Sequence, residues 1–281
     1  MTISCRNLAF AALAISGLGV GASGTAAGSD TAAMSGAAAT VTSGTGSSRT
    51  TSWPGVVVGA MAYVKARTAS ALEAPRTLPG MAVGGPNSAR ATANRGSYEV
   101  MLYACQTPMP VNNPGIGKGV CGDMAAIYGG FGGRRYRSAA LARSGLAATS
   151  DSVSLAQARR DCTTVRRARI LPRLEVTLYS GRYGNCLALW HEKEWTFGLV
   201  GDLQGGIGGD PTEPWRAVAR AIVSYLGSHL LPGTEGVFSC DIAGDGLHTS
   251  LDWVRRNEIY SASTYHGYGI DLAIAMAPYP R

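Results

Sequence analysis

The 281-residue chain carries 25 Lys and Arg against 18 Asp and Glu, a formal charge of +7 and a pI near 9.2, with 46% apolar residues and 38 glycines. The apolar content from Trp53 onward supports one large domain or two small ones, which excludes a wholly disordered chain. The basic balance draws the protein toward anionic surfaces, a property that governs encounter and not specificity.

Residues 1–27 read as a secretory signal: Arg6 precedes an apolar run from Leu8 to Val20, and a small-x-small site follows near Gly24-Thr25-Ala26. Retention of this stretch as an N-terminal anchor is the alternative, although its Ala, Gly and Ser content makes it weakly hydrophobic. Residues 28–52 are almost entirely Ala, Gly, Ser and Thr, the composition of a flexible linker. Beyond them no segment is long and apolar enough to span a membrane. The expected location is therefore secreted or cell-envelope.

A first α+β unit is expected over 53–150. It opens with a helix over Val58–Leu72, followed by a Pro/Gly connection and a strand over Tyr98–Ala104. A second strand over Met124–Tyr128 leads into a Gly-rich turn, Gly129-Gly130-Phe131-Gly132-Gly133, and a helix from Arg137 to Leu146. The second unit, 151–281, begins with a short helix capped at Ser154-x-x-Gln157 and running through Arg160. A strand over Leu174–Tyr179 and a hairpin of Cys186–His191 with Trp195–Val200 come next. Thr212 and Pro214 then start a helix whose apolar stripe is Trp215, Val218, Ala219, Ile222, Val223 and Leu226, with Gly227 at its end. Three antiparallel strands, Gly236–Ile242, Leu247–Val254 and Glu258–Ser263, precede a buried helix over Ile270–Ala277 that Pro278 stops.

Tyr98–Tyr103 is echoed by Leu174–Tyr179, and the first Gly-rich motif by Gly205-Gly206-Ile207-Gly208-Gly209, at the same offset. The matched spacing suggests two duplicated strand, Gly-turn and helix units. The expected fold class is thus α+β: antiparallel sheets with packed helices, the two units followed by a C-terminal hairpin and helix.

Signal removal takes Cys5 and leaves five cysteines. Cys105 and Cys121 flank a Pro-, Gly- and Asn-rich loop and are expected to pair, while the pairing of Cys162, Cys186 and Cys240 is left open. No CxxC or HxxxH spacing indicates zinc, and no metal or other cofactor is expected. Gly115-Ile116-Gly117-Lys118-Gly119 lacks the Ser or Thr of a P-loop, and Asp241-x-x-x-Asp245-Gly246 lacks the calcium-loop pattern.

Six arginines, Arg159, Arg160, Arg166, Arg167, Arg169 and Arg173, concentrate the positive charge without interleaved aromatic residues. A solvated helix face with linker is the plain reading of these residues; the functional one makes them the binding residues for an anionic surface or polymer, and the missing aromatics and the export signal argue against nucleic acid. His248, Ser250 and Asp252 share one strand face, and i, i+2 neighbours lie too far apart for direct triad hydrogen bonds. That face is expected to be the solvent side. No catalytic set is assigned; His248, Asp245 and Asp252 are the candidates. The chain is accordingly read as an exported, noncatalytic binding or envelope-associated protein. A secreted hydrolase built on His248, or a structural subunit of an extracellular assembly, is the alternative.

Overall fold

The computed structural model describes residues 53–79, 85–121, 126–162, 164–171, 174–181, 184–201, 213–227, 229–242, 248–265 and 269–281. The expected signal and linker, the second Gly-rich motif, Thr212, Asp245 and Arg173 lie outside them. Among the described residues five helices and twelve strands form an α+β fold: α1 (Gly55–Lys65), β1 (Glu73–Pro75), β2 (Ser88–Asn94), β3 (Ser97–Tyr103), β4 (Ile127–Arg135), α2 (Ala139–Leu146), α3 (Ser150–Asp161), β5 (Thr164–Leu171), β6 (Leu174–Gly181), β7 (Gly184–Glu192), β8 (Glu194–Val200), α4 (Glu213–Leu226), β9 (Glu235–Asp241), β10 (His248–Arg255), β11 (Glu258–Thr264), α5 (Gly269–Ala275) and β12 (Met276–Pro278).

Ten strands make one sheet in the order β2-β3-β4-β11-β10-β9-β8-β7-β6-β5, and β1 pairs with β12 separately. Every pairing in the large sheet is antiparallel except β8 with β9, where α4 lies between the two strands in sequence as a parallel crossover requires. The sheet runs through both halves of the chain, because β4 hydrogen-bonds along its length to β11.

One face of the sheet holds the main core. Val57, Ala60, Met61 and Val64 of α1, Trp215, Val218, Ala219 and Ile222 of α4, and Ile270, Leu272 and Ala273 of α5 bury against it. The expected stripe on α4 is therefore the buried face. The opposite face is covered by α2 and α3, each over a smaller apolar cluster. Leu155 of α3 packs onto Gly198 of β8, where an added Cβ would come within 2.2 Å of the leucine.

Gly129–Gly133 is not a turn but the middle of β4, between β3 and β11. Glycine is depleted in strands, yet it is retained where neighbours approach closely. Gly129 has φ 155°, and a Cβ there would lie 2.1 Å from the Ser263 carbonyl oxygen. At Gly133 it would meet the rings of Tyr98 and Tyr260. Two duplicated strand, Gly-turn and helix units are accordingly not borne out: the first motif is a strand and the second lies outside the described residues.

Three boundaries differ from the sequence reading. Helix α1 ends at Lys65, because the backbone beyond it is engaged by the sheet: Ala69 N–H donates to Arg95 C=O at 3.0 Å and Ala71 N–H to Glu258 Oε1 at 2.7 Å. Thr149, not Ser154, caps α3, its hydroxyl accepting from Ser152 N–H at 3.5 Å, so the helix starts a turn earlier than expected. At the C-terminus α5 ends at Ala275, and Met276–Pro278 is an extended strand against β1.

Cys105 and Cys121 form the expected disulfide, and Cys162 pairs with Cys186. Cys240 is buried in β9. The first bridge closes a loop over β2, and the second ties the end of α3 to β7. Two disulfides fit an extracellular protein. Among the described residues no helix is long and apolar enough to cross a membrane.

Candidate functional site

The arginine cluster does not form one helix face with a linker. Arg159 and Arg160 lie in the last turn of α3, whereas Arg166, Arg167 and Arg169 lie on β5, the terminal strand of the sheet. Arg159 nevertheless lies close to β5. Arg159 sits over the ring of Tyr179 on β6, and Tyr179 is the cross-strand partner of Val165 on β5. Strand alternation places Arg167 and Arg169 on that same face as Val165, and Arg166 with Ala168 on the core side. All five guanidinium groups belong to exposed residues. Glu175, opposite Arg169 on β6, is the acid nearest in register, and no ion pair joins them.

The second candidate region lies at the middle of the sheet. His248, Ser250 and Asp252 do share one face of β10, but that face is not the solvent side. Ser250 and Asp252 are each only 7% exposed, because α3 starts directly above them. Asp151, in the first turn of α3 and 8% exposed, accepts a hydrogen bond from Ser250 Oγ at 2.5 Å. Among the described residues Asp252 Oδ2 has no hydrogen-bond partner. Burial, and then the nearby Asp151 carboxylate, push Asp252 up to about 7, with Thr149 opposing. Asp151 is also raised by burial, against the Ser250 hydrogen bond and the charge of His248. Two carboxyls placed this way titrate as a pair, each pushed upward by burial. The His248 ring, half-buried, lies 4.8 Å from that of Tyr265.

Asp151 is the member that the sequence reading missed. Its partner Ser250 is 99 positions away, and only the correct N-cap at Thr149 would have placed an acid in the first turn of α3. No sequence signal indicated that this turn docks on β10.

A third polar group fastens the segment after α1 to the sheet. Arg255 pairs with buried Glu73 at 2.5 Å, Tyr98 exchanges hydrogen bonds with the Glu73 backbone, and Tyr260 donates to Glu258 at 2.5 Å. Burial raises Glu73 despite the Arg255 guanidinium. These contacts are internal and fasten the segment to the sheet.

Gly115–Gly119 sits inside the loop closed by Cys105 and Cys121, with Ile116 buried in the cluster beneath it. His229 Nδ1 lies 2.9 Å from the Tyr225 carbonyl oxygen at the end of α4. An open pocket of about 400 Å³ near β2 is lined by Tyr63, Arg90, Thr92, Glu99, Met101 and Asn112, among others. Among the described residues no three His, Cys, Asp or Glu side chains gather as metal ligands. No protein family matches the chain, and no curated protein or solved structure matches it either.

Proposed function

We propose that this is an exported, noncatalytic binding module that holds an anionic extracellular partner on its basic sheet edge. The observation that carries this reading is the placement of Arg166, Arg167 and Arg169 on the terminal strand, with Arg159 of α3 over Tyr179 of the adjoining strand. Exposed charges with no ion-pair partner among the described residues keep their hydration in the free protein and exchange it for a ligand's charge at small desolvation cost. An overall charge of +7 adds steering toward the same class of partner.

Retention on an anionic polymer such as polyglutamate tests the reading. The protein should be retained at low salt and released as salt rises, and Arg166→Gln/Arg167→Gln/Arg169→Gln should elute earlier. Retention that is indifferent to salt, or unchanged in the triple variant, overturns it.

One observation favours a second reading, a hydrolase. Ser250 donates to the buried Asp151 carboxylate beside Asp252 and within the electrostatic reach of His248. In that reading Asp151 takes the Ser250 proton, and the protonated Asp252 serves as the acid. A fluorophosphonate should then label Ser250 in the native protein but not in Asp151→Asn. Failure to label removes this reading.

A further inference from the structure

The two ends of the sheet are finished differently. At the β2 end three outward backbone groups, the Ala89 C=O and both groups of Ala91, are already used. Asn112 N–H donates to Ala89 C=O at 3.0 Å, and its side-chain amide takes both groups of Ala91, accepting from the N–H at 2.7 Å and donating to the C=O at 3.0 Å. Ser88 Oγ accepts from Met109 N–H at 2.9 Å. At the other end β5 pairs with β6 on one side, and among the described residues no strand pairs with its outer side.

We infer that the outer edge of β5 accepts an extended acidic polypeptide as an additional strand. This deepens the proposed function and rests on the β5 arginines being its binding surface. A terminal strand offers N–H and C=O groups in a regular row, and an extended peptide is the ligand that answers such a row with its own. A polysaccharide or lipid headgroup could neutralise the guanidinium groups but could not continue the ladder.

Charge selects the partner. Side chains of an added strand stand beside those of β5 in the same alternation, so Arg167 and Arg169 would face every second residue of the partner on the α3 side. Acidic residues at those two positions are favourable there and basic ones are not. Val165, 54% exposed on the same face, calls for an apolar residue next in the series. A second copy of β5 would bring arginines against arginines, which disfavours self-pairing through this edge. Charged residues on an edge are also a general guard against unwanted strands, but arginine guards against apolar and basic strands and leaves acidic ones free to pair.

The test uses the full chain and a fluorescent peptide that alternates Thr with Glu, Glu and Val in that order on one face. Two further versions carry N-methyl groups on one or the other alternate set of amides, which removes hydrogen bonds without changing charge. The parent peptide should bind in a fluorescence-anisotropy titration. One N-methylated version should bind about tenfold or more weakly, because only one set of amides faces β5. If both bind as well as the parent while Arg166→Gln/Arg167→Gln/Arg169→Gln still weakens binding, strand addition is overturned and the charge-based reading stands. If neither the peptide nor polyglutamate binds, both fall together.

Discussion

The β2 and β5 strands end the same sheet, yet they meet the problem of an exposed ladder by opposite means. At β2 a loop closed by Cys105 and Cys121 folds over the strand and lends it Asn112 as a substitute backbone. At β5 the protein places three arginines and leaves the outer side without a strand among the described residues. The difference teaches that a sheet edge can be closed by hydrogen bonding or guarded by charge, and that only the second solution leaves room for a selected partner.

The largest expected effect breaks the covalent part of that contrast. Cys105→Ser/Cys121→Ser removes a loop constraint worth about 3 kcal/mol and loosens the cover over β2, so denaturant unfolding and light scattering should show both destabilisation and self-association. Cys162→Ser/Cys186→Ser should lose comparable stability without new association, since that bridge holds α3 and not an edge. Equal association in both variants would dissolve the distinction between the edges.

Next comes the middle of the sheet, which sets the pH response that neither edge provides. Below about pH 4 Asp252 is protonated folded and unfolded, and contributes no difference. Between about 4 and 7 the folded chain retains a proton that the unfolded chain has lost, so stability falls as pH rises through this window. Asp252→Asn should therefore flatten this slope and recover stability at pH 8 relative to pH 4 in paired denaturation curves. A slope as steep in the variant as in the parent would assign the response to other groups.

Asn112→Ala should cost about 1–2 kcal/mol by thermal unfolding, because Ala91 loses two hydrogen bonds at once. The smallest change belongs to Arg167→Gln/Arg169→Gln, within about 0.5 kcal/mol, as for other exposed substitutions. Its informative readout is sedimentation: with the charge removed, the β5 edge should begin to self-associate, whereas a monodisperse variant would show that charge was not its guard.

Much of the fold was legible because local pattern and burial agree. The Trp215 to Val223 stripe on α4, the hairpin turning at Lys193 and the three strands β9–β11 are all written in short-range periodicity. The Cys105–Cys121 bridge was legible for the same reason, as its loop carries its own turn chemistry. Gly129–Gly133 was misread because glycine locally signals a turn, and only Tyr98, Met101 and Tyr260 of the adjoining strands make it a strand. The face of Ser250 and Asp252 was misread because alternation separates two faces of a strand without saying whether the second is also covered.

The sequence by itself determined an α+β chain with a basic segment, one disulfide loop and the polarity of its best helix and hairpins, since each depends on residues close in sequence. Tertiary structure alone decided that the basic segment ends a sheet, that α3 docks Asp151 onto Ser250, and that the two edges differ. Those outcomes depend on which strands become neighbours and which helix covers them. Long-range packing sets that choice, and no local periodicity encodes it.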